Sequence, residues 1–243
     1  MATARSTQRV RPDVDEEIVD LSVTPLRELN ARLHRLAGEP GPGRWRLLHP
    51  DGAHAVAVGL DADIDVEIEG HVGYYCAGMN KHATVRVHGN AGVGVAENIM
   101  SGTVVVEGNA SQAAGATGHG GLLVVHGDAS ARCGISMKGV DIVVRGDVGH
   151  MSAFMAQRGR LVVCGDAGDA LGDSIYETHI YVHGSVAGLG ADCVQKDVGD
   201  HHVAELRELL AQAGITDADP SDFRRYGSAR QLYNFSIDNA EAY

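Results

Sequence analysis

Val104-Val105-Val106-Glu107-Gly108-Asn109-Ala110-Ser111 is followed 19 residues later by Leu123-Val124-Val125-His126-Gly127-Asp128-Ala129-Ser130. The pattern extends in both directions with no insertion. The anchoring glycines are Gly70, Gly89, Gly108, Gly127, Gly146, Gly165 and Gly184, each 19 residues after the one before. Four residues before the anchor stand Val66, Val85, Val104, Leu123, Ile142, Leu161 and Ile180. Two before it stand Ile68, Val87, Val106, Val125, Val144, Val163 and Val182. Apolar β-branched residues at a spacing of two describe a strand with one buried face. A unit this short cannot bury that face alone, so the copies must stack. At roughly 4.8 Å per coil, seven coils make a rod of about 30–35 Å. The fold expected is all-β, a parallel β-helix of seven 19-residue coils over residues 63–200.

Other columns of the repeat are also regular. The residue after the anchor is polar in every copy: His71, Asn90, Asn109, Asp128, Asp147, Asp166 and Ser185. Short polar side chains there suit hydrogen bonds to turn amides. Three and seven residues after the anchor, every copy has Gly, Ala or Ser, which marks tight corners or close chain approach. The composition agrees, with 32 glycines, 6 prolines and only 5% aromatic residues among 243. A period of 19 is no multiple of six, which sets this repeat apart from the left-handed hexapeptide helices of some acyltransferases.

The flanks read as caps, which an open β-helix needs at its unpaired ends. Residues 1–23 are expected to form a flexible arm, and 24–62 a helix and hairpin. Thr24 is placed at the N-cap with Pro25 after it, and Leu26, Leu29, Leu33 and Leu36 make one apolar stripe. Trp45–His49 and Ala53–Leu60 read as hairpin strands turned by Pro50-Asp51-Gly52. Residues 201–243 are expected to hold a helix marked by Val203, Leu206, Leu209 and Leu210, stopped at Gly214, followed by an aromatic tail.

Chemistry is sparse. The net charge of −12 argues against non-specific binding to nucleic acid or anionic membrane. No run of apolar residues reaches transmembrane length and no signal peptide opens the chain, so a cytoplasmic location is expected. Cys76, Cys133, Cys164 and Cys193 lack metal-ligand or redox spacing and read as free buried thiols. Cys76 and Cys133 share a column three coils apart, too far for a disulfide. Gly92-Val93-Gly94 and Gly188-Leu189-Gly190 lack the third glycine of a dinucleotide loop. His88, His126 and His183 share an outward column, with His88 and His126 about 10 Å apart, too distant to share a metal ion. His119, between two glycines, is read as an exposed corner residue. No catalytic, cofactor-binding or metal-ligating residue is assigned.

One outward column breaks the alternation. Val105, Val124, Val143 and Val162 stack where Glu67, Arg86 and Tyr181 stand in the end coils. A dry stripe of this kind requires a cover: a cap helix, the tail or another protein. With Phe223, Tyr226, Tyr233 and Phe235 of the tail, these valines are the candidate partner-binding residues. Tyr243 and the arginines Arg224, Arg225 and Arg230 add to the tail's anchoring character.

The repeated Val-x-Val-x-Gly-(Asn/Asp)-(Ala/Val)-Gly unit resembles the GXGXG β-helix domain at the C-terminus of the glutamate synthase large subunit. It is also similar to the β-helix subunit of formylmethanofuran dehydrogenase. Thr24-Pro25-Leu26-Arg27-Glu28-Leu29-Asn30 and Tyr226-Gly227-Ser228-Ala229-Arg230 look like the free-standing version found in glutamate synthase-like enzymes, including N-methylglutamate synthase. The resemblance implies a right-handed coil and a hetero-oligomeric scaffold without a catalytic centre of its own. It also implies two partners: a class II glutamine amidotransferase-like subunit, and a glutamate synthase-like subunit with FMN and an iron–sulfur cluster. Neither cofactor is expected in this chain. The alternatives are the β-helix subunit of a formylmethanofuran dehydrogenase or formyltransferase/hydrolase complex, and a purely structural β-helix.

Overall fold

A computed structural model describes residues 15–230. One 11-stranded sheet runs the length of the molecule. Strands β1 (Glu16–Asp20), β2 (Arg44–Leu48), β3 (Asp65–Glu69), β4 (Thr84–Val87), β5 (Thr103–Val106) and β6 (Leu122–Val125) stack in chain order. So do β7 (Lys138–Val144), β8 (Arg158–Val163) and β9 (His179–Val182). All of these pairs are parallel. The register keeps each column of the repeat together: Val85 faces Val104, Val104 faces Leu123, and Leu123 faces Ile142. A second ladder stacks Val72, Ala91, Ala110, Ala129, Val148, Ala167 and Val186. The parallel β-helix read from the period is the fold. Its interior is packed: Ile68, Val87, Val106, Val125, Val144, Val163 and Val182 are all fully buried.

The anchor glycines have a different reason from a simple turn. Gly70 alone of the seven has a left-handed φ, at +137°. The others make room for a ladder of side chains. Asp147 N–H donates to Asp128 Oδ1 at 2.9 Å, Asp166 N–H to Asp147 Oδ1 at 2.7 Å, and Ser185 N–H to Asp166 Oδ1 at 2.6 Å. Asn90 and Asn109 continue the ladder below, and His71 Nδ1 begins it. Each acceptor lies where a Cβ on the next anchor would stand. A Cβ on Gly146 would overlap Asp128 Oδ1 and come within 2.8 Å of Gly127 O.

In the first six of the seven coils the small column seven residues after the anchor takes the left-handed conformation, and so do the residues two before and two after it. In the third coil these are Ala113 (φ 59°), Gly115 (67°) and Thr117 (54°); in the fifth, Met151 (55°), Ala153 (57°) and Met155 (53°). A non-glycine residue there costs about 1–2 kcal/mol. The alternation points successive N–H groups up and down the stack, so each finds a carbonyl. Ala113 N–H reaches Ala131 O at 3.0 Å, Gly115 N–H reaches back to Val95 O at 2.9 Å, and Thr117 N–H reaches Ile135 O at 2.9 Å. Satisfied backbone on the side of the coil that has no strand offsets the conformational cost.

The N-terminal cap differs from the sequence reading. Trp45–His49 and Ala53–Leu60 do not form a hairpin. Strand β2 lies parallel on β3, with Trp45 opposite Val66 and Leu47 opposite Ile68. Ala55, Ala57 and Gly59 repeat the left-handed trio, and Ala55 N–H bonds Tyr74 O at 2.7 Å. The segment is a further coil without the valine–glycine signature, and Pro50-Asp51-Gly52 turns its corner. The arm expected over 1–23 supplies β1, which pairs with β2. Helix α1 (Leu26–Arg35) has Pro25, not Thr24, at its N-cap, and buries Leu29 and Leu33 on the core.

At the other end the stack is closed by reversal. Strand β11 (Arg224–Ser228) enters antiparallel between β9 and β10 (Cys193–Lys196). Helix α2 (Asp200–Gln212) ends at Ala213, with Gly214 left-handed and Ile215 N–H bonded to Leu210 O at 2.8 Å. That is the Gly-terminated C-cap expected where the apolar stripe stops.

Candidate functional site

The valine stripe is closed by its own chain. Val105, Val124, Val143, Val162 and Tyr181 form a second apolar cluster with Leu206, Leu209, Leu210, Ala213, Ile215 and Phe223. Val143 and Val162 are fully buried. Helix α2 starts over β9, where Tyr181 O–H donates to Glu205 at 3.3 Å. Just beyond the helix end, Arg145 of the fifth coil pairs with Asp217 at 2.6 Å. The helix is roughly 20 Å long, about four rung spacings, so it covers much of the stripe. In this structure the four valines are buried in one cluster with residues of α2.

The tail candidates divide in the same way. Phe223 is 3% exposed in the α2 cluster, with its ring 5.2 Å from that of His183. Tyr226 is 4% exposed in the main core, in β11 opposite Ile180. Both pack on this chain. Tyr233 and Phe235 lie outside the described residues. The sequence left open whether helix, tail or partner covered the stripe. Leu206, Leu209 and Leu210 of α2 and Ile215 after it, in one cluster with the four valines, carry the answer.

The column of His88, His126 and His183 does not converge. His88 Nε2 meets Glu67 at 2.5 Å, and His126 Nε2 lies 3.9 Å from Glu107. Burial holds the His126 imidazole below its usual range, against the pull of Glu107. Arg86 pairs with Glu107, and Arg46 lies 3.7 Å from both Glu16 and Glu69. Together these make a charged network over the outward strand face of the first coils, where α2 does not reach. Among the described residues, no group of three His, Cys, Asp or Glu could hold a metal ion.

The thiols are not poised for nucleophilic work. Burial pushes Cys76, Cys133 and Cys193 up to about 12, and Cys164 to about 11. They stay protonated near neutrality. Gly92-Val93-Gly94 and Gly188-Leu189-Gly190 lie in coil corners, and neither leads into α1 or α2. His119 is exposed at its corner. A shallow hollow of about 440 Å³ beside the end of α2 is lined by Arg207, Thr216, Asp217, Ala218, Asp219 and Pro220.

The surfaces left open are of another kind. The side bearing the left-handed trios carries Met155 at 42% exposure beside half-buried Ile135, Met151 and Phe154. Tyr74, Met79 and Val93 are exposed on the same side in the first two coils. Sequence periodicity did not mark these residues, because their columns hold Gly, Asn, Thr or Asp in other coils. The arrangement is suited to holding surfaces at fixed spacing along a rigid axis.

Protein GlxC of Rhizobium meliloti (strain 1021) is 60% identical to this chain over 226 residues, which is 93% of this chain and 99% of the relative. The chain belongs to the GlxC family. Coverage of that extent takes in all seven coils together with α1 and α2. No family model matches the chain. Among the described residues, no helix is long and apolar enough to cross a membrane.

Proposed function

We propose that this chain is a non-catalytic scaffold subunit of a multi-subunit glutamate synthase-type complex, and specifically of N-methylglutamate synthase. Its role is to hold an amidotransferase-like subunit and an FMN/iron–sulfur synthase-like subunit in fixed relation. The observation that carries this reading is a rod whose repeat resembles the glutamate synthase β-helix domain, with helices and non-repeat strands of its own added at both ends. The match to GlxC over nearly the full length of both sequences supports it.

The reading sends partners to the surfaces that remain open. These are the charged strand face of the first coils and the Met151–Phe154–Met155 side. The packed interior leaves no axial lumen lined by the stacked valines, so a path for ammonia or amine runs between subunits and not through the coils. Flavin and cluster chemistry belongs to the partner.

Affinity capture of the tagged chain from a host expressing the three candidate subunits tests the assignment. The captured complex is expected to show flavin and iron–sulfur absorption and to contain the amidotransferase-like chain. Capture of formyltransferase-type subunits, with no flavin spectrum, would place the rod in the other enzyme class.

A further inference from the structure

The first turn of α2 rests on a stack of three histidines that the scaffold role does not use. The rings of His201 and His202 lie with centroids 3.7 Å apart, inclined by 39°. His179 of β9 meets His202 edge-on at 5.5 Å, and the Tyr181 ring is 6.4 Å from His202. His202 is 7% exposed. Its Nδ1 accepts the N–H of Gly199, the N-cap of α2, at 3.0 Å. An imidazole that accepts at Nδ1 is neutral, because the protonated ring has no lone pair to offer.

The charges around the stack come from every element packed on it. Strand β11 contributes Arg225, and β8 contributes Arg160, which is held by Asp141 of β7 in a two-bond pair. Glu205 of α2 is the opposing charge, 3.9 Å from both Arg160 and His179, and Glu177 also acts on His179. The partial positive charge of the helix N-terminus adds to the cationic side. Burial first, then Arg225, holds both His179 and His202 below the usual imidazole range, with Glu205 pulling the other way.

We propose that His179 and His202, with the His201 ring stacked on His202, form a pH-sensitive latch: protonation of His202 releases the first turn of α2 from β9 and uncovers the Tyr181 end of the valine stripe. A proton on His202 Nδ1 removes the Gly199 bond and sets a cation against its stacked neighbour. The folded chain binds this proton more weakly than the unfolded chain, whose imidazole titrates near the ordinary value of 6.5. The latch's contribution is therefore complete above that value and is lost as pH falls through the folded pKa. Leu206, Leu209 and Leu210 keep the rest of α2 seated, so the opening is local.

Amide hydrogen exchange on the full chain tests the latch, read near neutral pH and at about pH 5.5 after correction for intrinsic rates. Wild type is expected to lose protection roughly tenfold in residues 200–205, with β3 to β8 unchanged. His202→Asn keeps a short acceptor for Gly199 N–H and cannot take up the proton, so its acid-dependent loss of protection is expected to be several-fold smaller. Should that variant not fold, His179→Gln is expected to shrink the acid-dependent loss. Equal wild-type protection at both pH values overturns the latch. So does an undiminished loss in the folded variant, or an NMR titration placing His202 at or above 6.5.

Discussion

At the scale of single residues, the anchor glycine and the polar residue after it act as one device. Asp128 lends Oδ1 to the N–H of Asp147, and it can do so only because Gly146 has no Cβ in the way. Gly146→Ala is expected to lower stability by about 1–3 kcal/mol, the range for an added methyl in a packed site. Adding Asp128→Ala removes part of the clash but also the acceptor, so the two changes are expected to couple by at least about 0.5 kcal/mol. Urea unfolding of the four chains measures this, and strict additivity would mean the glycine is needed only for its backbone. The periodic Gly-(Asn/Asp) pair announced the corner in the sequence. Its steric basis did not show there, because the clash is between one coil and the next, 19 residues away.

At the scale of elements, the strands were legible and the turns between them were not. Alternation of Val, Ile and Leu is a direct imprint of a buried strand face, and all seven repeat strands follow it. The left-handed trios leave no such imprint, because Ala, Met, Thr, Ser and Arg all occupy them and backbone hydrogen bonds offset the cost. The same gap explains the missed first coil: a corner built on Pro50-Asp51-Gly52 and a hairpin turn use the same residues, and only pairing direction separates them. Helix α2 is the element that decides the fate of the valine stripe. Val143→Asp places an unpaired carboxylate beneath it and is expected to cost the isolated chain about 3–5 kcal/mol. A thermal melt of the mutant alone checks this. Unchanged melting would show that α2 does not hold the stripe closed.

At the scale of the whole molecule, a continuous interior and coils in strict register make a stiff spacer. Its two ends are finished by different means. The start adds two more parallel strands and α1, and the finish turns the sheet antiparallel. Among the described residues, neither end strand carries the left-handed trio of the coils, which suits a rod of fixed length better than a growing fibre. The chain carries a net charge of −12 and a charged network on the first coils, and among the described residues ten large apolar side chains are exposed. On the proposed reading, a molecule built this way contributes geometry to a complex. The most direct measurement is therefore reconstitution by omission: the amidotransferase-like and flavin subunits are mixed with and without this chain, and assembly is followed by light scattering beside synthase turnover. The predicted result is a stable assembly of all three proteins only when the chain is present, with turnover coupled across the two active sites. Assembly and coupled turnover at full level without it would contradict the scaffold role.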